Sequence, residues 1–145
     1  MNVENRIYPS QDQLQTLLNE PGPDSPIVMV NLLKFRDKAQ YPDGSDAELS
    51  GRDAYMRYGR EVAKLVMASG GKVLFVGDVT FLSLGKVESL WDEVALVQYP
   101  SRAEFMRMAT SPEWQAIEVH RTAGLEGQLN IETVSTMAKL LGKVS

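Results

Sequence analysis

The run from Pro26 to Phe35 constrains this chain more than any other segment. Ile27, Val28, Met29, Val30, Leu32 and Leu33 put apolar side chains on both alternating faces of one extended stretch. Successive side chains of a strand point to opposite faces, so a strand that is apolar on both sides is buried on both sides. Any fold for this chain must therefore cover a sheet from two directions at this strand. Only Asn31 and Lys34 interrupt the pattern.

Local punctuation predicts the other elements. Ser10 and Gln13 form an S-x-x-Q capping box, which satisfies two orphan donors at a helix start. The helix covers 10–20, with Leu14, Leu17 and Leu18 on one face, and Pro21-Gly22-Pro23 stops it. Residues 36–49 form a long polar loop with Tyr41-Pro42-Asp43-Gly44 inside it. Loops of this length are uncommon in compact domains and are often lids, arms or disordered. Ser50 caps the longest helix, over 51–69. Its Ala54, Tyr55, Tyr58, Val62, Leu65 and Val66 share one face, and Gly70-Gly71 ends it. A second strand runs over 72–84 with Gly77 inside, and a third over 91–99, paired with it as a hairpin. Ser101 and Glu104 make another capping box, and Ser111-Pro112 restarts the helix with Ser as N-cap and Pro at the first helical position. That helix runs to about Thr122 and ends at Gly124. Over 125–133, Leu125, Leu129 and Ile131 alternate with Glu126, Gln128, Asn130 and Glu132, predicting a fourth strand with one apolar face. Met137, Leu140 and Leu141 fall on one side of a short terminal helix over 134–141. No repeat or linker divides the 145 residues. The chain reads as one domain, 1–145, with its core over 26–133, an N-terminal helix over 10–20 and a tail over 134–145.

Without the first helix and the tail, the order is β-α-β-β-α-β. Right-handed crossovers turn that order into an α+β fold, a four-stranded antiparallel sheet with both helices on one face. The opposite face still needs a cover. A second copy, packed sheet to sheet about a two-fold axis, supplies one, because such a contact is self-complementary. The N-terminal helix folded across the sheet is the alternative.

Composition removes whole classes of function. The chain has no cysteine and one histidine. It therefore has no disulfide framework and no thiolate nucleophile, and one histidine without cysteine argues against a tight transition-metal site. The net charge is −4, with no run of basic residues longer than two; nucleic-acid binding needs a concentrated basic surface. The longest apolar runs are too short to span a bilayer. Met1 to Ser10 lacks the apolar core of a signal peptide, so the chain reads as soluble and cytoplasmic. There is no phosphate loop, no G-x-G-x-x-G and no G-x-S-x-G, and no cofactor is expected. Asp43, Asp46 and Glu48 lack the spacing of a dedicated calcium loop.

Five stretches carry a resemblance: Asp53-Ala54-Tyr55-Met56-Arg57-Tyr58, Gly70-Gly71-Lys72-Val73-Leu74, Val97-Gln98-Tyr99-Pro100-Ser101, Ser111-Pro112-Glu113-Trp114-Gln115-Ala116, and Arg121. Taken in order over 26–133, they resemble the domain-of-unknown-function family 1330 of the dimeric α/β-barrel superfamily. The resemblance implies a ferredoxin-like fold, a homodimer with a barrel between two sheets, and a cavity between sheet and helices. The superfamily includes cofactor-free monooxygenases, haem-degrading enzymes, isomerases and proteins with no known reaction. In the haem-degrading pattern a Trp stands three residues before a Ser-Pro pair and a His six after the Pro. Met108 and Glu118 occupy those positions here, although Asn31 would suit.

Several residues stand out chemically. His120 is the one histidine, the residue type whose unperturbed pKa lies near neutral, and suits a general acid or base; structurally it is a half-buried side chain favoured by a helix C-terminus. Arg121 offers a fork for a carboxylate or phosphate, or else an internal pair with Glu118, Asp78 or Glu93. Tyr55 and Tyr58 are neighbours on the long helix, able to bind a ligand carbonyl or simply to line the core. Asn31 in an apolar strand needs a partner, because an unpaired buried amide costs about 1–3 kcal/mol. Asp78, with Glu93, is a candidate pocket acid; a solvent-facing or Arg-paired acid is the structural reading, and it is the favoured one for Glu93. The leading expectation is a small-molecule pocket, with Asn31, Tyr55, Tyr58, His120 and Arg121 around a carbonyl- or carboxylate-bearing ligand. There His120 would shuttle protons in proton abstraction or cofactor-free oxygenation. The rival is a non-catalytic binding or assembly protein, and a third reading is haem binding.

Overall fold

The computed structural model describes residues 3–142, so the ends of the chain, including the last three residues of the expected tail, lie outside the described residues. The elements run α1 (Gln11–Asn19), β1 (Ile27–Phe35), α2 (Gly51–Ala68), β2 (Lys72–Asp78), β3 (Glu93–Tyr99), α3 (Arg102–Ala109), α4 (Pro112–Gly124), β4 (Leu125–Thr133) and α5 (Met137–Leu140). The four strands form one antiparallel sheet in the order β2-β3-β1-β4, with the most apolar strand inside.

The sheet has two distinct faces. Ile27, Met29, Leu33 and Phe35 of β1 point toward the helices and are buried there with Val66, Tyr99, Met108 and Leu125. Burying an aliphatic or aromatic side chain of this size is worth about 1.5–3 kcal/mol, so this layer anchors α2 and α4 to the sheet. On the other face, register aligns Phe75, Leu96, Val30 and Ile131 in one row across all four strands, and Val94, Leu32 and Leu129 in the next. Phe75 is 54% exposed and Ile131 45% exposed at the ends of the first row. The N-terminal helix does not cover this face: α1 has no buried residue and contacts α3 instead.

A bulge decides which side of β4 faces in. Leu125 pairs with Phe35 and Gly127 with Lys34, leaving Glu126 as the extra residue. An inserted residue reverses the facing of everything beyond it. Leu125 thus joins the helix-side core, whereas Leu129 and Ile131 lie on the open face. The polar set Gln128, Asn130 and Glu132 turns inward, level with Leu33, Asn31 and Met29. The expected alternation is present, but its polar side is the one that faces the helices.

Two boundaries differ from expectation. β2 stops at Asp78 rather than near Leu84, because beyond Val79, whose N–H reaches Asp92 O at 2.9 Å, the chain leaves its partner strand. β3 starts at Glu93 rather than Trp91. Asp92 is diverted to β1: its N–H donates to Leu33 O at 2.8 Å, and its carboxylate accepts from Phe35 N–H at 2.8 Å. The Ser10–Gln13 box closes in both directions. At α3, Ser101 Oγ accepts from Glu104 N–H, while the Glu104 carboxylate is drawn to Arg107 instead.

The 36–49 segment is pinned rather than loose. Ala39 N–H donates to Leu49 O at 2.7 Å, Gln40 N–H to Ala123 O at 3.0 Å and Arg36 N–H to Gly124 O at 2.8 Å. Ala39 is buried against Ala54 and Ala123. The packing is close because glycines meet there: a Cβ on Gly51 would stand 2.2 Å from Arg36 O, and one on Gly124 2.4 Å from Gly51 O.

Candidate functional site

Polar side chains gather on both sides of the α2–α4 seam. On the inner side they begin at β1. Asn31 Oδ1 accepts from Gln128 Nε2 at 2.7 Å and from Asn130 Nδ2 at 2.5 Å. Asn31 Nδ2 reaches Ala95 O and Met29 O only at 3.3 and 3.4 Å. Gln128 Oε1 in turn accepts from Arg121 Nη2 at 2.8 Å, and the same nitrogen donates to Ile7 O at 2.6 Å. Arg121 is half-buried and bonded to two neutral oxygens; it forms no ion pair among the described residues.

Aromatic residues of α2 complete this inner side. Tyr55 lies against Phe35 at 5.4 Å between ring centroids and against Tyr58 at 5.3 Å. Tyr58 Oη accepts from Trp114 Nε1 at 2.9 Å, with the two rings edge to face. The Tyr55 hydroxyl has no hydrogen-bond partner among the described residues. Burial holds its pKa far above the ordinary phenol value, reinforced by Tyr58, while the Arg121 charge pulls the other way. Tyr55 therefore stays a proton donor near neutral pH. The one side-chain polar atom fully buried without a partner among the described residues is Arg36 Nε.

The acids divide between rim and interior. Arg52 donates to Asp78 Oδ1 at 2.7 Å and to Glu93 Oε2 at 3.3 Å. Asp78 is an exposed, Arg-paired acid on the edge strand, the structural reading of that position. Glu93 is 8% exposed. Burial raises its pKa above the usual carboxylate range, Arg52 opposes the rise and Asp78 adds to it.

His120 is elsewhere. It faces the outer side of the seam, where its Nδ1 is 2.7 Å from the Tyr41 hydroxyl. Arg57 donates to Tyr41 Oη at 3.2 Å and to Asp46 Oδ2 at 2.9 Å. A crevice of about 390 Å³ opens there, lined by Tyr41, Asp43, Asp46, Arg57 and His120 among others. Because Arg57 can only donate, the single Tyr41 proton is free to go to His120 Nδ1. A larger groove of about 740 Å³ follows the end of β1; its Lys34, Lys38 and Arg52 are matched by Asp92, Glu48 and Asp78, whereas Arg36, which also lines it, forms no ion pair among the described residues.

The structure thus brings Asn31, Tyr55, Tyr58 and Arg121 to one side and sends His120 to the other. Adjacent positions on a helix differ by about 100°, so His120 and Arg121 cannot share a direction. Gln128, Tyr41, Arg57 and Ile7 were not singled out from the sequence. Gln128 had a signal, since it lies on the polar parity of β4; Ile7 had none, because only the Arg6–Gln128 bridge brings the N-terminal segment alongside β4.

The model of the family described as Domain of unknown function (DUF1330) matches residues 45–134. The chain belongs to this family. Tyr55, Tyr58, Asp78, Glu93, His120, Arg121 and Gln128 fall within the DUF1330 match; Asn31 and Tyr41 fall outside it. The chain is 30% identical to a protein of unknown function from Rhodopseudomonas palustris, solved as a structural genomics target. The likeness covers 90% of this chain and 96% of that one, with a TM-score of 0.78. The methylated form of that protein gives a TM-score of 0.81 at the same identity, over 90% and 95% of the two chains. A dimeric protein of unknown function and ferredoxin-like fold from Bacteroides fragilis is 12% identical, over 76% of this chain and 96% of that one, with a TM-score of 0.50. The DUF1330 chain described here shares that ferredoxin-like fold. Nothing among curated proteins matches it. Among the described residues, no helix is long and apolar enough to cross a membrane, and no group of three or more His, Asp or Glu side chains could hold a metal ion.

Proposed function

We propose that this protein binds a small carboxylate-bearing carbonyl compound between the sheet and helices α2 and α4, as a homodimer in the cytoplasm. One observation carries the ligand reading. Arg121 is a half-buried cation with no carboxylate partner among the described residues, next to a tyrosine hydroxyl that also lacks a partner. A buried charge normally finds an opposite charge, and an arginine fork fits a carboxylate in two-point contact. In this reading Arg121 anchors the anion, the Tyr55 hydroxyl donates to the carbonyl, and Asn31 and Tyr58 shape the pocket.

Two features support self-association. The Phe75–Leu96–Val30–Ile131 row leaves an apolar sheet face open, and the similar Bacteroides fragilis protein is described as dimeric. The cysteine-free composition suits a reducing compartment. His120 belongs to the outer crevice in this reading and takes no part in anchoring the ligand.

The test is calorimetric titration with a panel of small mono- and dicarboxylates, with and without a 2-oxo group. A charge-assisted pair is worth about 1.5–3 kcal/mol, so Arg121→Met should weaken the best ligand roughly 10- to 100-fold while His120→Ala leaves it unchanged. Equal affinity in wild type and Arg121→Met would refute the assignment. The rival reading, a purely structural set of polar residues, predicts no saturable binding by any of these compounds.

A further inference from the structure

Glu93 is a buried acid that takes no part in ligand anchoring. It projects from β3 toward the helices, opposite Leu33 and two residue pairs from the Ala95–Asn31 pair. Arg52 ties it to the aromatic wall: its Nη1 reaches Glu93 Oε2 at 3.3 Å, its guanidinium lies 4.8 Å over the Phe35 ring, and that ring packs on Tyr55. Arg52 precedes Tyr55 by about one turn of α2, and the Tyr55 hydroxyl lies within electrostatic reach of the Glu93 carboxylate. A structural tie for Arg52 is already supplied by the shorter, exposed contact to Asp78 at 2.7 Å. Glu93 Oε1 has no hydrogen-bond partner among the described residues.

We propose that Glu93 is a general base in the interior site, and that the site catalyses enolisation of a small 2-oxo acid. The proposal rests on the carboxylate-binding reading above. Arg121 holds the carboxylate, and the Tyr55 hydroxyl donates to the 2-oxo oxygen. Glu93 Oε1 takes a proton from C3. The C3–H bond breaks, its electron pair forms the C2–C3 double bond, and the C2=O pair moves onto oxygen, where Tyr55 stabilises the enolate. Once the proton on Glu93 has exchanged with solvent, its return to C3 restores the 2-oxo acid with solvent hydrogen at C3. No oxidant, reductant or further reactant enters. The groups facing Glu93 are Arg52 and Tyr55 from α2 and Asp78 from β2. The buried setting makes Glu93 a stronger base than a surface carboxylate, closer in proton affinity to what abstraction from carbon demands.

Phenylpyruvate in D2O is the probe, with loss of its C3 proton signal followed by NMR and its binding measured by calorimetry on the same samples. The wild type should bind it and accelerate exchange. Glu93→Gln should lose about 100-fold or more of that acceleration with affinity held within about 3-fold, and Glu93→Asp should recover part of the rate. Should Glu93→Gln not fold, the Glu93→Asp rate and the wild-type profile, rising with pH as a raised carboxylate titrates, decide the point. Binding without accelerated exchange, or undiminished exchange in Glu93→Gln, overturns the proposal and leaves ligand binding intact. Absence of binding overturns both.

Discussion

Arg121 and His120 are sequence neighbours that end on opposite sides of α4, one bonded to Gln128 and Ile7, the other to Tyr41. The chemistry of each residue was legible from its type: a fork seeking an anion, an imidazole seeking a proton partner. Their separation depended on the helix's rotation and on which partners the 36–49 segment and the N-terminal segment supplied, and neither is written in local spacing. Glu93 shows the same limit from the other side. In sequence Asp78 was the candidate pocket acid and Glu93 read as a solvent-facing or Arg-paired one; register reverses them, putting Asp78 at the edge and Glu93 beneath α2. Its titration gives a stability prediction. The native state holds the Glu93 proton more tightly than the unfolded chain does, whose ordinary value is 4.5. A group with a raised native pKa favours the fold when protonated, so stability should fall as pH rises from the unfolded value through the native one. Denaturant unfolding at a series of pH values from mildly acidic to neutral should show this slope in wild type and a flatter profile in Glu93→Gln. Identical slopes would exclude a shifted Glu93.

At the scale of elements, caps and periodicity located most boundaries. The Ser10, Ser50, Ser101 and Ser111 hydroxyls each accept an N–H at their helix starts. The sequence did not reveal the bulge at Glu126, which needs only one extra residue and leaves the alternation of β4 intact to the eye. That bulge delivers Gln128 to Asn31 and Leu125 to the core, and so builds the polar inner wall. Nor did it reveal how tightly the start of α2 meets the end of α4. Gly51 and Gly124 meet there backbone to backbone, with rigid atoms where a Cβ would go. Overpacking of this kind typically costs about 1–3 kcal/mol. Gly124→Ala should therefore lower the midpoint of chemical unfolding by a corresponding amount, whereas Gly59→Ala, with open space at its Cβ, should not destabilise.

At the scale of the whole molecule, the doubly apolar first strand set the problem that the fold answers only in part. One face of the sheet is buried under α2, α3 and α4; the other presents the Val30 row to solvent in a single chain. Stable interfaces bury about 800 Å² per partner, and a charge at their centre is poorly tolerated. Val30→Asp should convert a dimer to a monomer by analytical ultracentrifugation, with its secondary structure retained; a monomeric wild type at micromolar concentration would contradict self-association. The central claim concerns the space on the other side of the sheet. It is tested most directly by titrating phenylpyruvate into protein with isotope-labelled arginine, tyrosine and histidine side chains and following each by NMR. Saturable shifts at Arg121 and Tyr55, with Tyr41 and His120 unmoved, are the predicted result. Shifts confined to Tyr41 and His120, or none at Arg121, would contradict it.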